Sequence, residues 1–210
     1  IALAFAEHGA DAVVVADIRE DPKEGGPPTH EKIEAETTTA STFVHCDVSN
    51  RTDVKTAVEA ADEFGGITVM VNNAGIWHPE DFLQVEEDDY QRMMDINLTG
   101  AYFGSQAAAK RMIENGGGSI INISSIAGLF GNGNWPTYAA SKGGLTMFTY
   151  SIAHKLGEHG IRVNAIHPGG IQTMIGGETT DPEAAAEQAQ QFTEMVPLGR
   201  YGQPEDIGGA

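Results

Sequence analysis

The stretch Gly116-Gly117-Gly118-Ser119-Ile120-Ile121-Asn122-Ile123-Ser124-Ser125 decides the fold class of this chain. Its three glycines predict a turn, and residues 119–123 have the length and composition of a β-strand. The two serines come directly after that strand. Since ligands bind beyond the carboxyl ends of the strands in open parallel sheets, these hydroxyls are candidate site residues.

The same pattern repeats in both directions along the chain. Further strands are predicted at 12–16, 42–46, 67–71 and 161–166, and the first of them is a continuous apolar run typical of a strand covered on both faces. Helices are predicted between them at 1–9, 31–36, 50–64, 88–113 and 138–156. This alternation predicts one α/β domain over 1–210, with a doubly wound parallel sheet in a three-layer αβα arrangement.

The chain is strongly acidic. It contains 12 Lys and Arg against 30 Asp and Glu in 210 residues, for a formal charge of −18. Such a charge repels phosphates and anionic lipids, so we expect neither a nucleic-acid nor a membrane partner. The acidic residues are spread along the chain, which is typical of a halophile's surface, although an ordinary acidic protein is the alternative.

Cysteine usage and hydropathy predict a cytoplasmic location. Cys46 is the only cysteine, so no internal disulfide can form. No apolar run reaches the roughly 20 residues that span a bilayer, and no signal segment is recognisable. His78 and His167 lack clustered Cys or His partners, so no metal site is expected.

Polar or turn-forming residues follow the predicted strands, where a parallel sheet places its ligands. They are Asp17, Asp47, Asn72-Asn73-Ala74-Gly75, Ser124-Ser125 and Pro168-Gly169. Tyr138 and Lys142 stand four residues apart on a predicted helix and therefore share a face. A nearby cation lowers the pKa of a phenol, so this pair suits proton transfer, although a surface pair is the simpler reading for Tyr-x-x-x-Lys alone.

These motifs, together with Asn97 in Asp95-Ile96-Asn97-Leu98-Thr99-Gly100, resemble those of the short-chain dehydrogenase/reductases in order and spacing. The resemblance covers essentially the whole chain. It implies a Rossmann-like fold and an NAD(H)-dependent oxidoreductase that interconverts a secondary alcohol and its carbonyl. The substrate could be a sugar, a hydroxyacyl compound, a steroid or a simple alcohol.

The resemblance also implies catalytic roles. Tyr138 would transfer the proton, and Ser125 would hydrogen-bond the substrate oxygen. Lys142 would lower the pKa of Tyr138 and hold the cofactor ribose, while Asn97 would distort its helix and hold a water that relays the proton. Ser124 competes with Ser125 for the serine role, but the family's thirteen-residue offset to the tyrosine favours Ser125.

Cofactor contacts follow from the same resemblance. Asp17 would bind the ribose hydroxyls and repel a 2′-phosphate, which favours NAD, although Arg19 leaves NADP possible. The adenosine half would be held by Asp47, Val48, Asn73, Ala74 and Gly75, and the nicotinamide half by Pro168, Gly169, Ile171 and Thr173. The family's glycine-rich phosphate loop is expected before Ile1 and a last strand after Ala210, so we expect the chain to be a fragment of a longer enzyme.

The substrate side is less well defined. A lid is expected at about 174–196, and Trp77 and Trp135 could line the pocket with His78, Ile126 and Phe130, although core packing explains these aromatics equally well. Helices 88–113 and 138–156 match those that pair subunits in the family, so a homodimer or homotetramer is expected. The alternatives are a nucleotide-sugar epimerase-type enzyme and a nonenzymatic dinucleotide sensor.

Overall fold

The computed structural model describes residues 1–131, 133–173, 175, 193 and 196–210. Its strands are β1 (Ala12–Asp17), β2 (Ala40–His45), β3 (Val69–Asn72), β4 (Gly118–Ile123) and β5 (Ile161–Ile166). Its helices are α1 (Ala2–Glu7), α2 (Thr29–Glu36), α3 (Arg51–Glu59), α4 (Glu87–Met94), α5 (Gly100–Glu114), α6 (Pro136–Leu156) and α7 (Pro204–Gly208). Strands and helices follow each other as the sequence predicts.

Every strand pairing in the described part of the chain is parallel. β1 pairs with β2, and β4 lies between β3 and β5. Within the described ranges no ladder joins β1 to β3, so the strands form one sheet of two and one of three. The expectation of a single α/β domain with parallel strands flanked by helices is confirmed.

The central core lies between the three-stranded sheet and α5. Ile120 of β4, and Ala108 and Met112 of α5, are fully buried, and Ile161 and Val163 of β5 pack in the same cluster. Burial of a side chain of the size of Ile or Met contributes about 1.5–3 kcal/mol. This packing holds the ends of β4 and β5 at a fixed separation, and the candidate site is built on those ends.

Two predicted boundaries need correction. The helix predicted at 88–113 is interrupted, because residues Asp95–Thr99 form a π-helical turn between α4 and α5. The helix predicted at 138–156 begins two residues earlier, at Pro136, where proline suits the first helical position because its missing N–H would have no partner there.

Some expectations fall partly outside the structural description. The lid expected at about 174–196 lies almost entirely among residues that are not described. Among those that are, no helix has the length and apolar character needed to span a membrane. In the same residues, no group of three or more His, Cys, Asp or Glu side chains could hold a metal ion.

Candidate active site

Ser125, Tyr138 and Lys142 meet beyond the end of β4. Ser125 follows that strand, and its side chain hydrogen-bonds Tyr138, which lies in the first turn of α6. Lys142 lies one turn further along, with its Nζ 5.9 Å from the centre of the Tyr138 ring. The helical spacing therefore brings the phenol and the amine to one face, as the sequence predicts.

Burial shifts the pKa values of both Tyr138 and Lys142. Burial raises the pKa of Tyr138, while the hydrogen bond with Ser125 lowers it in part. Burial also lowers the pKa of Lys142 to about 8. The lysine Nζ donates to the carbonyl oxygen of Ile123 at 2.8 Å, and loss of solvent is the largest influence on the pKa of the phenol. The expected lowering of the Tyr138 pKa by Lys142 stays a prediction.

The two serines after β4 face different surroundings. The Ser124 hydroxyl donates to the carbonyl of Lys142 at 2.9 Å and lies 3.0 Å from the Thr146 hydroxyl. The Ser125 Oγ accepts the amide of Ala127 at 3.1 Å and also contacts Tyr138. Ser124 thus packs the strand end against α6, while Ser125 is the serine beside the tyrosine.

Asn97 lies within the π-helical turn, so the predicted local distortion of the helix is present. Its side chain is fully buried. The Oδ1 accepts the amide of Ile76 at 2.8 Å, and the Nδ2 donates to the carbonyl of Ile76 at 2.9 Å and to the Ser141 hydroxyl at 3.2 Å. Asn97 therefore ties the loop after β3 to α6.

Gly75 lies where this loop meets the site. A Cβ added to Gly75 would stand 3.3 Å from Asn97 Oδ1 and 3.5 Å from Lys142 Nζ. Its neighbours Asn73 and Ala74 are exposed. The loop after β3 therefore presents backbone and side-chain groups to solvent directly beside the catalytic candidates.

The acidic residues after β1 and β2 differ in their partners. Asp17 is exposed and accepts the amide of Arg19 at 3.0 Å. Asp47 accepts both the amide and the hydroxyl of Ser49, and the hydroxyl bond is the main reason that its pKa is lowered. Both carboxylates are thus held at the carboxyl ends of their strands. Val48 packs closely on α5, since a Cβ on Gly100 would lie 2.9 Å from its carbonyl oxygen.

The segment after β5 contacts the residues that come just before α7. Ile171 forms a parallel bridge with Gly202, and the amide of Gln172 donates to the carbonyl of Gly202 at 2.9 Å. Thr173 is exposed, as is Gly169. The predicted nicotinamide-side residues therefore lie on one irregular segment that follows β5 beside Ser125.

Trp77 and Trp135 contact each other. Their rings meet edge to face with centroids 5.9 Å apart, and both side chains are half-buried. Each ring covers part of the surface of the other. The two aromatics therefore pack together, which is one of the two roles that the sequence allowed for them. Their place as substrate contacts stays a prediction.

Sequence reasoning missed three residues that hold the site together. Ser141 bonds Asn97, His167 contacts the carbonyl of Ser125 at 3.1 Å, and Glu80 accepts the backbone amide of Thr137 at the start of α6. Glu80 lies 57 residues from its partner. No local pattern signals such a contact, although Pro136 could have marked the helix start.

Parallel strands with polar groups at their carboxyl ends, and a Ser-Tyr-Lys cluster beside a glycine-containing loop, define a Rossmann-type protein with a dehydrogenase-like site. A family model described as "Enoyl-(Acyl carrier protein) reductase" matches residues 1–210. The chain therefore belongs to the short-chain dehydrogenase/reductase family.

Named relatives support this assignment. The chain is 41% identical to trans-4-hydroxycyclohexanecarboxylate dehydrogenase of Sinomonas cyclohexanicum over 97% of its own length and 75% of that protein. It is 39% identical to a 3-oxoacyl-[acyl-carrier-protein] reductase of Synechocystis sp. over 79% of its length and 64% of that protein. With L-rhamnose 1-dehydrogenase (NAD(P)(+)) of Azotobacter vinelandii, identity is 43%, over 74% of this chain and 60% of that one.

The fold has close solved counterparts. A short-chain type dehydrogenase/reductase from Mycobacterium marinum superposes with a TM-score of 0.88 at 33% identity. That comparison covers all of this chain and 80% of the other. The chain thus spans about 60 to 80% of the length of these relatives.

Proposed function

We propose that this chain carries the catalytic site of an NAD(H)-dependent oxidoreductase that interconverts a secondary alcohol and its carbonyl. The observation that carries the proposal is the hydrogen-bonded Ser125 and Tyr138 pair, with the buried amine of Lys142 on the same helix face. Relatives named as dehydrogenases and reductases of hydroxycyclohexanecarboxylate, 3-oxoacyl groups and rhamnose support the same reaction class.

In this proposal Tyr138 moves the proton at the substrate oxygen, and Ser125 donates a hydrogen bond to that oxygen. The buried phenol is neutral at physiological pH, because its pKa is raised. It therefore acts most readily as an acid in carbonyl reduction. Alcohol oxidation needs the phenolate, so we expect the oxidative direction to gain from alkaline pH.

The residues around the site fit a dinucleotide. Bound NAD would supply or accept the hydride. Gly75 lets the backbone come close to Lys142 and Asn97. Lys142 Nζ, which donates to the carbonyl oxygen of Ile123, would also donate to the ribose hydroxyls. Asp17 is exposed at the carboxyl end of β1, where its carboxylate would bind the ribose hydroxyls and repel a 2′-phosphate, which favours NAD over NADP.

One residue argues against a strict preference for NAD over NADP. Arg19 follows Asp17 by two residues, and its backbone already turns toward that carboxylate. Its side chain could serve a 2′-phosphate, so the proposal is NAD first and NADP second. Asp47, Val48, Asn73 and Ala74 would hold the adenosine half, and the segment from Pro168 to Thr173 the nicotinamide half.

Assembly and location complete the proposal. Tyr102 of α5 and Met147 and Tyr150 of α6 are exposed, and Tyr102 stacks on Phe148 with ring centres 4.8 Å apart. An exposed apolar surface of this kind favours a homodimer or homotetramer.

A cytoplasmic location agrees with a single, buried cysteine.

The proposal is tested by turnover of the protein expressed at its full genomic length. NAD and NADP are supplied with a panel of sugars, hydroxyacyl esters, hydroxysteroids and secondary alcohols, in low and multimolar salt. We expect reduction of NAD with at least one class of substrate. In Tyr138→Phe, kcat should fall by about 10³-fold or more, on the order of the loss of an essential acid and of its positioning.

Tyr90→Phe is the matched control, because Tyr90 is an exposed tyrosine on α4. It should keep full activity. Retention of activity in Tyr138→Phe would refute the assignment of the proton-transferring residue. Cofactor binding without turnover of any member of the panel would favour the nonenzymatic dinucleotide sensor.

A further inference from the structure

The loops that leave β4 and β5 are joined side by side. The amide of Ser124 donates to the carbonyl of Ile166 at 2.8 Å, and the amide of Ile126 donates to the carbonyl of Pro168 at 3.0 Å. Between these two backbone bonds lies the side chain of His167, with Nδ1 3.1 Å from the carbonyl oxygen of Ser125. Three contacts therefore connect the two loops within three residues of each strand end.

The His167 contact has a defined direction. A carbonyl oxygen can only accept, so Nδ1 must carry the proton. The same carbonyl also accepts the amide of Gly128 at 2.9 Å, which fills its second acceptor site. The ring is half-buried between the loops. This bond therefore sets both the tautomer of His167 and the orientation of the peptide unit that follows Ser125.

We propose that His167 is a positioning residue that holds the backbone of Ser125 against the segment beginning at Pro168. The inference rests on the proposed function, in which Ser125 contacts the substrate oxygen and the Pro168 segment contacts the cofactor. Since the side chain joins the two, it keeps the reacting groups at a constant separation. The residue acts through Ser125 and does not touch the substrate.

The tautomer offers a test that does not depend on activity. Nitrogen-15 NMR of histidine-labelled protein, with His167 assigned from the His167→Asn spectrum, reports which ring nitrogen carries the proton. The proposal requires a proton on Nδ1. A neutral ring protonated only on Nε2 would overturn it, because that form has no donor for the Ser125 carbonyl.

Kinetics test the consequence. His167→Ala should lower kcat by about 10- to 100-fold, the scale of a displaced catalytic group, with a smaller change in KM for NAD. Asparagine places an amide nitrogen where Nδ1 stands, so His167→Asn should restore most of kcat. Glutamine places its amide where Nε2 stands, so the matched control His167→Gln should not restore it.

These outcomes separate the inference from the proposed function. A protein without turnover in its native form contradicts the proposed function, whatever the tautomer. An active native protein whose His167→Ala variant keeps its kcat, or whose Asn variant is as slow as the Ala variant while folding normally, overturns the role of His167. Circular dichroism and the melting temperature of each variant establish that it is folded.

Discussion

At the residue scale, the amine of Lys142 is buried within the site. The residue is 3% exposed, and its Nζ donates to the carbonyl oxygen of Ile123 at 2.8 Å. Burial disfavours the charged form, which is why its pKa falls to about 8. Burial of this amine therefore opposes folding when the amine is charged.

Lys142 should titrate near pH 8 in the protein without cofactor. Nitrogen-15 or carbon-13 NMR of labelled lysine measures this, and the Lys142→Met spectrum identifies the signal by its disappearance. A midpoint at the ordinary value near 10.5 would contradict the burial argument.

The same shift has a consequence for stability. The folded pKa is lower than the unfolded one, so the protein gains stability as pH rises from about 8 to about 10.5. Replacement by Met removes a buried charge, and at pH 7 it should raise the free energy of unfolding, by up to about 3 kcal/mol. Urea unfolding at pH 7 and pH 10.5 should show this advantage shrinking at the higher pH.

At the scale of elements, helix α6 owes its position to a distant side chain. Its N-cap residue Trp135 makes no side-chain cap bond, and Glu80 accepts the amide of Thr137 instead. The carboxylate also lies at the positive end of a 21-residue helix. Tyr138 follows Thr137 directly, so this contact sets where the helix, and the tyrosine on it, begins.

Glu80→Ala should lower the free energy of unfolding by about 1 kcal/mol, as for loss of a helix cap, and speed hydrogen exchange at the Thr137 amide. Glu80→Gln keeps an acceptor oxygen and should lose less. The control Glu34→Ala removes an exposed glutamate from α2 and should cost nothing measurable. Equal stability of the Ala variant and the native protein would contradict the cap.

At the scale of the whole molecule, the charge of −18 opposes compaction. Among the described residues, few acidic groups form ion pairs. Their partners are Arg111, Arg200 and four lysine or histidine side chains, namely His30, Lys55, Lys155 and His159. Self-repulsion of unpaired surface carboxylates is relieved when salt shortens the screening length, from about 10 Å at 0.1 M to about 3 Å at 1 M.

We therefore expect the melting temperature to rise with salt. Between 0.1 M and 2 M, a gain of about 2 kcal/mol would correspond to roughly 4–8 °C for a chain of this size. Differential scanning calorimetry in NaCl and in KCl should agree, since screening depends on ionic strength. A melting temperature that is flat or falls with both salts would show that repulsion does not limit stability, and would leave the acidic surface without a halophilic role.

The sequence by itself determined the succession of strands and helices, because apolar runs of strand length and capped amphipathic segments are local patterns. It also determined that Tyr138 and Lys142 share a helix face, since residues four apart on a helix always do. The order and spacing of the motifs sufficed to identify the family, which the comparisons confirm.

Only the tertiary structure decided the contacts that no local pattern encodes. Glu80 caps a helix 57 residues away, His167 reaches a carbonyl 42 residues away, and Ser124 turns into α6 while Ser125 turns to Tyr138. The burial that raises the pKa of Tyr138 is likewise a property of the packed site. The physical reason is common to all four: hydrogen-bond direction and solvent exclusion depend on which distant groups the packed sheet brings together.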